Sequence, residues 1–141
     1  MKFFYSSFCL FFLGIVLSSC GVIFNGSRYN ASAIAKNHPK ATVSINGMAT
    51  GKGMAMGSFN RKDPIMINVI EEDCKPQTWY FNPKAKTGTL ILSTLGFGML
   101  GLVVDLATGA CYQPDYKGNP MIERVNKKQY VFSVDYRGCD L

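Results

Sequence analysis

The sequence predicts a small α+β or mainly β domain, and three observations carry that expectation. Short segments alternate apolar and polar residues with the period of a half-buried strand: Ala41, Val43 and Ile45 against Thr42 and Ser44, and then Gln129 to Tyr136. Asn46-Gly47 follows the first of these, and both residues tolerate the positive φ that a tight hairpin needs. The third observation is an uncharged, Gly-rich tract of 18 residues from Thr87 to Val104. The expected architecture is a small antiparallel sheet of about five strands carrying one apolar Gly-rich helix or hairpin. A length of 141 residues suits one domain with a modest core.

The N-terminus is read as an export signal. Lys2 supplies a positive charge and an apolar run extends from Phe8 to Leu17, too short to span a bilayer comfortably. The run ends in Leu17-Ser18-Ser19-Cys20, which resembles the bacterial lipobox. That resemblance implies removal of residues 1–19 and lipidation of Cys20, so membrane lipid is the expected partner. Stable anchoring takes more than one acyl chain, each buried methylene contributing about 0.8 kcal/mol. Gly21 rather than Asp follows the Cys, which by the same resemblance implies the outer membrane. Residues 20–38 are expected to form the lipidated Cys and a tether, with a short helical turn around Ala31 to Lys36.

Residues 39–141 are expected to form one β-rich domain. Asn46-Gly47 closes its first strand, and Met48 to Met56 is expected to return, loosened by Gly51, Gly53 and Gly57. Pro64 to Ile70 is rich in β-branched residues and reads as a third strand. Glu71-Glu72-Asp73-Cys74 reads as a charged turn, and Gln77 to Asn82 as a fourth strand. Pro39, Ala41, Val43, Ile45, Gly47 and Gly51 resemble the pattern of the PEGA module, a small β-sandwich unit of bacterial envelope proteins. The Thr-Pro usual after the second Gly is replaced by Lys52-Gly53. The likeness covers about residues 39–70 and implies a fold without catalytic residues.

The segment 87–110 is the least ordinary part of the chain. On a helix, Thr94, Gly98, Gly101, Asp105 and Gly109 fall on one narrow stripe that lets another backbone approach closely. Five glycines between Gly88 and Gly109 weaken a helix in water by roughly 0.5–1 kcal/mol each, so a tertiary or lipid contact must offset them. Two arrangements keep the flanking strands on one side: a helix packed on the sheet through Gly98 and Gly101, or a re-entrant pair of legs bending at Gly96-Phe97-Gly98. A single span would separate strand 129–136 from strands 42–70. Asp105 either closes a turn at Thr108-Gly109 or pairs with a cation of the β part. The order Trp79, Asn82-Pro83, the apolar tract, then Asp105, Thr108-Gly109-Ala110 and Tyr112 resembles a tract of small uncharacterised envelope lipoproteins. It implies a family and a location, and no activity.

Catalytic and metal chemistry find little support. His38 is the single histidine and falls in the expected tether. Cys74 follows three acids, which disfavour a thiolate. There is no Cys-x2-Cys, no His pair and no EF-hand spacing, so no metal, cofactor or catalytic residue is expected. With the signal removed, 14 basic residues face 9 acidic ones. The basic residues are scattered and no nucleic-acid motif is present. Cys74, Cys111 and Cys139 remain in an exported compartment that permits disulfides. One bridge is expected, Cys111 to Cys139, with the other two pairings open. The expected role is a lipid-anchored, non-enzymatic envelope scaffold or binding accessory with an unidentified envelope partner; the alternatives are a membrane-active protein and, least supported, an enzyme.

Overall fold

A computed structural model of the protein describes residues 26–139. The signal, Cys20 and Gly21 lie outside the described residues. Ten strands and one helical segment follow in the described chain: β1 (Arg28–Lys36), β2 (Thr42–Ile45), β3 (Ala49–Lys52), β4 (Met54–Asn60), β5 (Ile65–Ile70), β6 (Gln77–Phe81), β7 (Pro83–Ala85), α1 (Thr87–Thr108), β8 (Tyr112–Pro114), β9 (Ile122–Asn126) and β10 (Gln129–Asp135). The protein is mainly β, as the strand patterns predict.

The strands form two four-stranded sheets, β4-β1-β10-β9 and β3-β2-β5-β6, and a separate β7-β8 pair. One buried cluster draws on both large sheets: Tyr29, Ala31 and Ala33 of β1 and Tyr130, Phe132 and Val134 of β10, with Val43 and Ile45 of β2 and Ile65, Ile67 and Val69 of β5. Burying a large apolar side chain of this kind contributes about 1.5–3 kcal/mol.

Three expectations are corrected here. The tether reading of residues 20–38 fails from Arg28 onward. Residues 28–36 are a central strand, not a tether or a helical turn, and Ala31, Ala33 and Ala35 face the core. The sheets are not wholly antiparallel either, because β1 runs parallel to β10, with Asn30 opposite Gln129 and Lys36 opposite Asp135. The return strand expected over Met48 to Met56 is two strands. β3 pairs with β2 in one sheet, and β4 pairs with β1 in the other. Gly53 makes the change of sheet. Its φ is +70°, its N–H donates to the Ala41 carbonyl at 2.7 Å, and its own carbonyl accepts from Ala35 N–H at 3.1 Å.

The Asn46-Gly47 turn forms as predicted. Both residues have positive φ, 50° and 68°, and Met48 N–H donates to the Ile45 carbonyl. Asn46 also pins β5, since its Oδ1 accepts from Met66 N–H at 2.6 Å.

The disulfide differs from the expected one. Cys74 is bonded to Cys139, and Cys111 is free and buried. The parallel pairing of β1 and β10 supplies the reason. β10 ends beside Lys36, and the chain beyond it runs along the β5–β6 connection: Tyr136 Oη donates to the Lys75 carbonyl at 2.9 Å and Arg137 N–H to Gln77 Oε1 at 2.9 Å. Cys111 lies outside that connection, between α1 and β8. A bridge across a sequence separation of 65 residues stabilises by about 4 kcal/mol on the chain-entropy model.

Candidate functional site

The helical segment α1 is inserted between two short strands that pair with each other. β7 and β8 are antiparallel, with Lys84 opposite Gln113 and Ala85 opposite Tyr112. Lys86 N–H donates to the Cys111 carbonyl at 2.7 Å. The two ends of the segment are therefore adjacent. A straight helix of 22 residues would place its ends about 33 Å apart. The three residues 109–111 can reach back at most about 10 Å. The segment must therefore turn back on itself, a hairpin whose two ends share one root. Both flanks leave on the same side, and no helix among the described residues is long and apolar enough to cross a membrane.

Local chemistry does little to stabilise this hairpin. Lys86 offers no side-chain cap at the N-terminus, the first turn holds no acid and the last turn no base. Gly109 closes the C-terminus in the left-handed conformation at φ 76°. Ile91, Leu95, Met99, Val103 and Leu106 recur at helical spacing and are exposed, Leu95 by 81% and Met99 by 80%. The segment is thus helical, apolar and open to its surroundings along that row.

Its base is charged. Arg61 and Asp105 are the charged side chains that are fully buried among the described residues. Arg61 Nε donates to the Gly26 carbonyl at 3.1 Å and Nη2 to the Lys127 carbonyl at 2.7 Å, which ties β1, the β4–β5 connection and the β9–β10 turn together. Lys62 packs against Gly109, whose missing Cβ would lie 3.0 Å from the Lys62 side chain. Burial lowers the Lys86 pKa to about 8, and the nearby positive charges of Arg61, Arg124 and Lys127 add to the effect. Lys84 bonds Asp115 at 3.3 Å. Cations scattered in sequence are therefore gathered around the root of the hairpin.

Of the residues singled out from sequence, Asp105, Gly109 and Cys111 meet at this root. Asp105 lies on the last helical turn with Thr108 Oγ1 bonded to the Val104 carbonyl at 2.8 Å. Cys111 Sγ lies 3.5 Å from the Asp105 carbonyl, and burial raises its pKa, so it is not an activated nucleophile. Gly98 and Gly101 lie in the helical backbone.

A second constellation lies at the other end of the β body, and sequence reasoning missed it. His38 follows β1, and its Nδ1 is 2.7 Å from Glu71 Oε2. Glu71 Oε2 in turn lies 3.5 Å from Cys139 Sγ. Ligand atoms of His38, Glu71 and Cys139 all lie within 4.8 Å of one another, beside the Cys74–Cys139 bond. The edge of the Tyr136 ring holds the His38 ring, with centroids 5.0 Å apart and planes at 88°. A cleft of about 620 Å³ covers the group, rimmed by Lys40, Lys52 and Glu72. Separations of 33 and 68 residues from Glu71 to its two neighbours give no motif that a sequence could display.

No family model, curated protein or solved structure matches the chain.

Proposed function

We propose that the protein is a lipid-anchored, non-enzymatic envelope scaffold whose apolar hairpin dips into the leaflet that holds the lipid on Cys20. The observation that carries this reading is the exposed row from Ile91 to Leu106 on a segment with 18 uncharged residues. Water is a poor solvent for such a row, and a patch of this kind marks a membrane or protein contact. Two further features favour lipid. Cations ring the root, where anionic headgroups would lie. Gly26, six positions after Cys20 in sequence, accepts a hydrogen bond from Arg61 at the same root, so the start of β1 lies at the hairpin end.

The β body then stands on the membrane as a platform. Its residues 39–70 fit a PEGA-like module: Val43 and Ile45 point inward and Asn46-Gly47 makes the turn. The outer membrane is the expected site, by the Gly21 argument.

The test is fractionation of the Cys20→Ser chain. Membrane association that survives loss of the lipid and resists alkaline extraction supports insertion. A chain that folds and stays soluble without detergent, with no affinity for vesicles, would overturn it and leave the row for a protein partner.

A further inference from the structure

We propose that His38, Glu71, Cys74 and Cys139 form a redox-gated site for a divalent zinc-like metal ion, closed while the disulfide is intact and opened by its reduction. Four side chains of the right types converge there. A His nitrogen, a carboxylate oxygen and a sulfur already lie within 4.8 Å of one another, and the fourth donor, Cys74 Sγ, is bonded to that sulfur. Imidazole, carboxylate and two thiolates are the donor set of a tetrahedral zinc site, with metal–ligand distances of about 2.0–2.3 Å. In the oxidised chain the two sulfurs hold no thiolate charge, and His38 and Glu71 alone make a weak pair of ligands.

The opening step balances simply. A dithiol reductant passes two electrons and two protons to the Cys74–Cys139 bond and becomes a disulfide itself. The S–S bond breaks and two thiols form. The metal ion then displaces the two thiol protons to solvent and binds both sulfurs, the His38 nitrogen and the Glu71 carboxylate. Two thiolates and one carboxylate carry three negative charges against two positive ones. Lys40 and Lys52 on the rim of the cleft offset the remainder. The Tyr136 ring packs edge-to-face with the imidazole and restrains its plane.

The site's position suits this role. Lys36 and Asp135, at the far ends of β1 and β10, lie beside it, while Arg28 begins at the hairpin root. Eight residue steps along β1 from Arg28 to Lys36 separate the two ends by roughly 26 Å. A soluble reductant can therefore reach the site from the side away from the hairpin root. The inference does not depend on membrane insertion.

The experiment is zinc titration of the full chain against a chromophoric chelator, before and after reduction with dithiothreitol and its removal under argon. The reduced chain is expected to take up one equivalent of Zn²⁺ at least 100-fold more tightly than the oxidised chain. His38→Ala and Glu71→Gln should each weaken binding 10-fold or more, whereas Cys111→Ser should leave it unchanged. Co²⁺ in place of zinc should give the thiolate charge-transfer band of a two-sulfur tetrahedral site. Equal zinc affinity of oxidised and reduced chains would overturn the proposal. So would tight binding that persists in the Cys74→Ser, Cys139→Ser double variant. A reduced chain that loses its β-sheet circular dichroism and does not regain it with Zn²⁺ overturns it as well.

Discussion

Truncating the exposed row tests membrane docking without disturbing the fold. Leu95 and Met99 are 81% and 80% exposed, so in water each side chain contributes little to packing. Full burial of either is worth about 1.5–3 kcal/mol. An Ala keeps one methyl, so each truncation forfeits about 1.5 kcal/mol of transfer into lipid and the pair about 3 kcal/mol. At about 1.4 kcal/mol per decade, Leu95→Ala with Met99→Ala should weaken vesicle partitioning roughly 100-fold. The assay is flotation of the Cys20→Ser chain with anionic vesicles, so that the anchor does not mask the hairpin. Urea unfolding without vesicles provides the control, and its midpoint should correspond to a change within about 0.5 kcal/mol, as for surface sites. Unchanged flotation would refute lipid contact. A stability loss of about 2–5 kcal/mol would refute the reasoning differently, since it would mean that the row is packed inside the protein.

Three further outcomes are expected. Asp105→Asn should destabilise by about 1–3 kcal/mol in denaturant unfolding, because Asp105 is a fully buried carboxylate and the amide cannot reproduce all of its accepted hydrogen bonds. Gly53→Ala should cost roughly 2–3 kcal/mol by the same assay, since φ is +70° and the new Cβ would lie 2.8 Å from the Pro39 carbonyl oxygen. Lys86 has a folded pKa of about 8 against an ordinary 10.5, so the unfolded chain binds more protons between those values and stability rises with pH across that window. Lys86→Met should therefore raise the urea midpoint at pH 7, and that gain should vanish above about pH 10.5.

The sequence displayed strands where large residues carried the alternation. Thr42–Ile45, Ile65–Ile70 and Gln129–Asp135 alternate buried Val, Ile, Tyr and Phe with less buried residues, and all three form as strands. β1 alternates less cleanly, since Ser32 is buried between Ala31 and Ala33, and Ala gives little contrast with Asn30 and Ser32. Short, polar β7, β8 and β9 exist through pairing with partners distant in the chain or across a turn. Parallel pairing of β1 with β10 is a tertiary choice that no local pattern encodes, and it decided the disulfide. Placing Cys139 beside Lys75 rather than Cys111 also set it against Glu71 and His38. The hairpin was more legible. The need to keep strand 129–136 with strands 42–70 argued against a single span, and the adjacent ends of the segment agree with that.

Local rules and the global fold agree across the β body and disagree at the hairpin, and that disagreement has a direction. In the body, turn residues take the positive φ they favour, and apolar side chains fill one core. At the hairpin, a Gly-rich helix lacks an N-terminal side-chain cap and exposes Leu95 and Met99, with two fully buried opposite charges and a destabilised lysine at its root. Each feature lowers stability in water. Departures of this kind concentrate where function outweighs stability. A lipid environment reverses most of them together. It rewards the exposed apolar row, suppresses the competition of water for helical hydrogen bonds, and supplies headgroup phosphates for the cations at the root. A protein groove would also cover the row, but it would not by itself account for the cations gathered at the root. The same body presents the cleft of His38 and Glu71 at its opposite end, so the proposed lipid contact and the proposed metal site are separated by the length of two parallel strands.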